Sequence, residues 1–348
     1  MSIESLVIDL IEGRKKNSFL KKILYFLSLF YKALISIRNS AYDIGFLKSY
    51  TSQIPVVSIG NIVAGGTGKT PLVQKIVEEL SQESGEVAII TRGYRSQSEH
   101  NFVLASIGKG PLVLPAACGD EAYWLSSHTK ASVWVGKHRV SSLQKAALSG
   151  ARIIFLEDGF QHRQVNRDVE IVLLNAEDLL GHGYFLPRGY LRESPKRLSE
   201  ADFIIVTYLK EGFDSNELLQ KVRPFSKAPI IGMSSVFDLN PEVKFRKVGA
   251  FCGIAKPNSF YKALANVEVV KTLTFPDHQV PSLKELSKFA LECQSLKAEY
   301  LICTEKDRVK LLNVSSLVLP VEVLKMQFKC IWNENVWKEM MHSIQNRM

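Results

Sequence analysis

The stretch Gly65-Gly66-Thr67-Gly68-Lys69-Thr70 lies just beyond a short apolar run at 54–59 and just before a helix-like segment at 71–80. A strand, a glycine loop ending in Lys-Thr and a helix together make one unit of a phosphate-binding α/β sheet. The glycines let backbone N–H groups converge on phosphate oxygens. Lys69 supplies a point charge for the β- and γ-phosphates, and Thr70 a hydroxyl for Mg²⁺. The strict pattern places a glycine at 63, where this chain has Val63. The context compensates, with apolar residues at 72, 73, 76, 77 and 80 in helical spacing and Pro71 suited to a first helical turn. Val63, Ala64, Gly65, Gly66, Thr67, Gly68, Lys69 and Thr70 are therefore the candidate nucleotide-binding residues, with ATP or GTP as the ligand.

From residue 54 onward, short apolar runs alternate with helical patterns, which predicts a mostly parallel sheet covered by helices. Strands are expected at 54–59, 86–90, 132–135, 151–156, 169–174 and 202–207. A helix pattern at 211–222 leads to an apolar segment at 228–232. A second, smaller alternation follows, with strands at 248–251, 267–275 and 300–303 and helices at 257–264 and 282–296. The expected fold class is α/β: a P-loop α/β/α domain, a smaller α/β domain and an N-terminal membrane-associated helix. The expected divisions are 1–50, 51–225 and 226–348, with the last closing a cleft.

The chain carries a formal net charge of +9, but its distribution argues against nucleic acid as a partner. Seven basic residues and no acidic one fall between residues 13 and 38, interleaved with aromatic and aliphatic side chains. A basic, aromatic-rich apolar helix is the pattern of a segment lying in a membrane interface, drawn by anionic lipid and held by buried apolar area. A span needs about 20 mostly apolar residues, and Lys32 interrupts this stretch while Lys21 and Lys22 open it. Interfacial attachment is the expectation. The five cysteines are scattered and contain no C-x-x-C pair, so neither a disulfide framework nor a zinc site is indicated.

At 153–158, a buried strand ends in Glu157-Asp158, where a phosphate-loop enzyme places an acid for Mg²⁺ or its water shell. Neighbouring strand residues face opposite ways, so one of the two takes that role unless the chain turns at once, as Gly159 permits. Gln161 and His162 add an amide and an imidazole. Phosphoryl transfer to an alcohol also needs a group that accepts the hydroxyl proton. Gly119-Asp120-Glu121 and Asp277-His278 are the candidates, with a carboxylate and a histidine from different domains meeting across a cleft. Arg92 follows a strand, Arg188 and Arg192 lie on a bent loop suited to phosphate, and Thr304-Glu305-Lys306-Asp307 ends a strand.

These motifs, in this order and over almost the whole chain, resemble those of the tetraacyldisaccharide 4′-kinases, which phosphorylate an acylated disaccharide in lipid A synthesis. The resemblance rests on 58–61, the 65–71 loop, 92–94, 119–121, 158–162, 191–193, 275–278 and 304–307. It implies ATP and Mg²⁺ as cofactors and transfer to the 4′-hydroxyl of tetraacyldisaccharide 1-phosphate, forming lipid IVA. The implied place is the cytoplasmic face of the bacterial inner membrane, with the membrane lipid as partner and no obligate protein partner evident. It also assigns roles: Lys69 and Thr70 to nucleotide and metal, Asp120 to the base paired with His278, and Asp158 and Gln161 to the metal and γ-phosphate. Arg92, Arg192 and Glu193 match further active-site positions. The family usually has Asp-Asp where this chain has Glu157-Asp158, so metal ligands are sought among Thr70, Glu157 and Asp158.

Two other classes share parts of the pattern. Membrane-associated partition ATPases carry a lysine just before the two glycines, where this chain has Ala64. Switch GTPases carry [NT]-K-x-D, which the segment at Thr304 misses by one residue.

Overall fold

The computed structural model describes residues 3–81, 85–93, 96, 102–254, 257–276, 281–311 and 314–348. The chain begins with two helices, α1 (Ile3–Ile11) and α2 (Ser18–Asp43). It then runs β1 (Val56–Asn61), α3 (Lys69–Leu80), β2 (Val87–Thr91), β3 (Val103–Ile107), α4 (Pro115–Cys118), α5 (Asp120–His128), β4 (Ser132–Val135) and α6 (Arg139–Leu148). Next come β5 (Ile153–Glu157), β6 (Val169–Asn175), β7 (Phe203–Thr207), α7 (Ser215–Val222) and β8 (Ile230–Asp238). The last part is β9 (Lys247–Cys252), α8 (Pro257–Ala263), β10 (Glu268–Thr274), α9 (Leu283–Ser295), β11 (Tyr300–Thr304), α10 (Glu305–Arg308), β12 (Val321–Trp332) and α11 (Glu334–Gln345).

The strands order as β10-β9-β11-β12-β8-β7-β6-β1-β5-β2-β4-β3 in one sheet of twelve. From β7 to β4 every pairing is parallel, and those strands are buried along nearly their whole length, as a sheet covered on both faces requires. In α3, Leu72, Val73, Ile76, Val77 and Leu80 form the buried stripe that the sequence spacing predicts.

Strand β12 joins the two halves. It pairs in parallel with β11 on one side and antiparallel with β8 on the other. Phe328 of β12 and Trp337, Met340 and Ile344 of α11 share an apolar cluster with Leu72, Val73 and Ile76 of α3. The last residues of the chain thus return to the face that carries the glycine loop.

No described helix is long and apolar enough to cross a membrane. Helix α2 lies along the outside of the sheet domain. Phe19, Phe26, Phe30 and Ile37 are 65–73% exposed, whereas Leu24 and Ser28 are buried. The exposed side is a run of aromatic and aliphatic groups that no other described element covers.

Candidate active site

Strands β1, β5, β2 and β4 are neighbours running the same way, so the segments after them meet at one carboxyl edge, where ligands bind in open α/β sheets. The glycine loop leaves β1 with the backbone of Gly65 and Gly66 exposed at its tip. Its base is braced from adjoining strands. Asn61 Nδ2 donates to Thr67 Oγ1 at 2.9 Å, Thr207 Oγ1 donates to the Thr67 carbonyl at 2.9 Å and Asn175 Nδ2 to the Gly66 carbonyl at 3.3 Å. Val63 and Ala64 are tied to a second loop, since Val63 bridges Leu191 and the Ala64 amide donates to the Tyr190 carbonyl. Gly68 has φ +80°, and a Cβ there would lie 2.5 Å from the Phe328 ring, so the loop ends on a residue only glycine satisfies.

The turn after β5 crosses directly over β1. A Cβ at Gly60 would fall 2.5 Å from Cβ of Phe160, and one at Gly159 would fall 2.5 Å from Ser58 Oγ. Within this turn Asp158 takes φ +53°, a left-handed conformation that aspartate tolerates better than most residues. The immediate turn separates the two acids. Glu157 ends the strand, accepting from Thr91 Oγ1 at 2.9 Å, while Asp158 faces the glycine loop.

Asp158 is the electrostatic hub. Arg192 grips it with two hydrogen bonds of 3.0 Å, Lys69 Nζ lies 3.3 Å from Oδ1, and Arg139 donates to its carbonyl at 3.0 Å. Burial alone would raise its pKa. Lys69 and Arg192 outweigh that and hold the carboxyl well below the usual range. Glu157 goes the other way: burial, helped by Glu121 and Asp158, pushes it up to about 7 against the pull of Lys69 and Arg139. Its Oε1 is buried without a hydrogen-bond partner among the described residues. A buried acceptor with no donor, at the end of a strand next to the phosphate-loop strand and within the field of Lys69, fits Mg²⁺, which takes one or two carboxylates and fills its shell with phosphate and water oxygens.

Gln161 Nε2 donates to the Asn61 carbonyl at 2.7 Å, which fastens the turn to the end of β1. His162 is half-buried, and the loss of solvent, with Arg139, Arg167, Arg38 and Arg92 around it, lowers its pKa to about 3. Arg92 follows Thr91 at the end of β2, near enough for its charge to oppose that of Arg139.

Asp120 opens α5 after Gly119, whose φ is +88°. Lys310, whose side chain is 4% exposed, stands 3.9 Å from Asp120 Oδ2 and 3.7 Å from Asp307 Oδ1. Asp307 is itself buried, accepting from Thr304 Oγ1 at 2.6 Å and from the Gly253 amide at 3.1 Å. The 304–307 motif therefore caps α10 and seats Lys310 toward Asp120. His278, the expected partner of Asp120, lies outside the described residues together with Asp277.

Glu193 sits apart from this group. It is 0% exposed, and its oxygens are taken up by Arg38 at 2.6 Å, Asn39 at 2.9 Å and Arg197 at 3.1 Å. Stripping a partner from such a buried charge costs about 3–5 kcal/mol. Its carboxylate holds α2 to the domain rather than contacting Asp158. Arg188, from the same loop, stacks on Tyr184 at 4.5 Å and joins Lys16, Lys21, Lys22, Tyr25 and Phe26 around a surface cleft of about 920 Å³.

Sequence reasoning missed Arg139, Lys310, Asn61 as a brace, Asn175 and Thr207. Asn61, Asn175 and Thr207 each end a parallel strand, and Arg139 follows β4 closely, so the rule that picked out Arg92 would have found these four. Lys310 had no such signal, since it lies beyond a short helix whose packing against α5 is a long-range property.

Comparison with known proteins agrees with this geometry. The family model described as tetraacyldisaccharide-1-P 4′-kinase matches residues 20–345. A tetraacyldisaccharide 4′-kinase of Halothermothrix orenii is 33% identical over 341 residues, covering 88% of both chains. One from Chlamydia trachomatis is 33% identical over 306 residues, covering 84% of this chain and 82% of the relative. Among solved structures, the "apo" form of LpxK from Aquifex aeolicus in complex with ATP superposes with a TM-score of 0.75 at 29% identity, covering 93% of this chain and 99% of that one.

Proposed function

The chain belongs to the tetraacyldisaccharide-1-P 4′-kinase family, and from that premise we propose how its residues move the γ-phosphate of ATP to the 4′-hydroxyl of tetraacyldisaccharide 1-phosphate, forming lipid IVA. The observation that carries the reading is the meeting of Lys69, Arg192 and Asp158 at the glycine loop. Phosphoryl transfer asks mainly for positioning and for neutralisation of the phosphate charge, and this cluster offers both.

The amides of residues 63–70 cradle the phosphates, and Lys69 and Arg192 supply positive charge around them. Thr70 and Glu157 would hold Mg²⁺, while Asp158 pairs with the cations Lys69 and Arg192. When bound, that ion would neutralise charge on the β- and γ-phosphate oxygens. Gln161 keeps the turn registered on β1. Asp120 accepts the proton of the attacking 4′-hydroxyl, Lys310 helps orient its carboxylate, and His278 is its expected second partner. Nucleotide and sugar enter from the walls contributed by 51–225 and 226–348, whose closure would exclude water and suppress ATP hydrolysis.

The acceptor is a lipid, which gives the exposed aromatic side of α2 a purpose. Within 1–50, that helix rests in the interface of the inner membrane at its cytoplasmic face, with Lys16, Lys21, Lys22 and Arg188 toward anionic headgroups. Label passing from γ-labelled ATP to detergent-dispersed tetraacyldisaccharide 1-phosphate tests the reading; hydrolysis alone would refute it.

A further inference from the structure

Helix α2 has two sides with different work. One is the bare apolar side. The other is bolted to the two segments that carry the halves of the Asp158–Arg192 clamp. Toward the first segment, Arg38 Nη2 donates to Glu193 Oε1 at 2.6 Å, Asn39 Nδ2 donates to Glu193 Oε2 at 2.9 Å, and Tyr31 Oη donates to the Arg192 carbonyl at 3.3 Å. Toward the second, Arg163, five residues after Asp158, donates to the Asn39 carbonyl at 3.0 Å and to Asp43 Oδ1 at 2.6 Å. Arg38 also donates to Asn39 Oδ1 at 3.0 Å, so the two helix residues act as a single bracket.

The bracket acts on a short lever. Glu193 is the next residue to Arg192, and both amides donate to the Ile62 carbonyl, at 3.2 and 2.8 Å. Fixing the Glu193 carboxylate therefore fixes the backbone from which the Arg192 fork reaches Asp158. A purely adhesive helix would need no fully buried carboxylate shared by two of its residues beside the catalytic arginine.

We infer that Arg38 and Asn39 are positioning residues: they act through Glu193 to hold Arg192 on Asp158, so the seating of the lipid-facing helix sets turnover as well as lipid capture. The inference rests on the kinase reading above and extends it. It makes α2 part of the catalytic frame, with lipid contact on one side and the clamp on the other.

The test measures kcat and lipid KM on detergent-dispersed tetraacyldisaccharide 1-phosphate, where capture from a bilayer plays no part. Arg38→Met and Asn39→Leu are expected to lower kcat about tenfold, with lipid KM and ATP affinity within about twofold of wild type. Arg38→Lys, which keeps the charge but not the fork, gives an intermediate kcat. In an Arg192→Lys background the Arg38→Met effect shrinks, because residues acting through one contact are not additive. Wild-type kcat in both Arg38→Met and Asn39→Leu, or the same fold-loss in both backgrounds, overturns the inference. A wild-type enzyme that labels no lipid refutes the parent reading; an active wild type indifferent to Arg38 and Asn39 refutes this inference alone.

Discussion

Arg192 holds Asp158 with both terminal nitrogens at 3.0 Å, a planar fork on a planar carboxylate, in the place where Lys69 also approaches to 3.3 Å. Two cations on one carboxylate keep it ionised. Such a fork is not reproduced by a lysine point charge.

Arg192→Lys is accordingly expected to lower kcat by about ten- to a hundredfold while shifting the KM for ATP much less. Steady-state kinetics at saturating lipid read this directly. An equal change in both constants would mean that Arg192 only binds nucleotide.

Asp120→Asn removes the proposed proton acceptor while preserving the shape that α5 presents to Lys310. Turnover should fall at least about a hundredfold with ATP affinity little changed. Parallel loss of turnover and of ATP affinity, the latter measured by calorimetry, would take Asp120 out of the base role.

The exposed side of α2 predicts lipid binding that has both an apolar and an ionic part. Replacing Phe19, Phe26 and Phe30 together by serine should abolish sedimentation with vesicles containing anionic lipid. Raising the salt should weaken the wild type, because each basic residue near an anionic surface contributes about 1 kcal/mol and is screened. Sedimentation unaffected by the triple replacement would place the membrane contact elsewhere.

His162 gives a pH signature. Burial and four nearby arginines lower its pKa in the folded protein to about 3, below the ordinary histidine value. Its contribution is therefore fully present above about pH 6.5 and is lost as pH falls from there toward about 3, since the unfolded chain takes up the proton first. His162→Gln should flatten the fall in thermal midpoint over that window. A slope identical to wild type would show that His162 is protonated without cost.

Much of this was legible in the chain because parallel strands buried on both faces write themselves as plain apolar runs. The strands at β1, β2 and β4 to β7 follow that pattern, and residues at their carboxyl ends make up the candidate site. Strand β12 was not anticipated: its Lys325 and Lys329 are exposed and break the apolar run, although Phe328 reaches the core. Helix α11 was missed with it, since its partner surface on α3 is more than 250 positions away in sequence. Glu193 was recognised as belonging near the site, but a motif carries no direction, and only the fold turns its carboxylate toward Arg38 and Asn39. The glutamate at 157 keeps an acid at the end of β5, and the φ of Asp158 explains how adjacent acids serve different sides.

On the kinase proposal, the glycine loop and the lipid-facing helix serve one transfer reaction. Its most direct measurement incubates the purified chain with γ-labelled ATP, Mg²⁺ and detergent-dispersed tetraacyldisaccharide 1-phosphate, and follows label in the lipid and in free phosphate. Label is expected in the lipid at the 4′-position, abolished by Lys69→Ala. Label released only as free phosphate, at a rate indifferent to the lipid, would contradict the proposal.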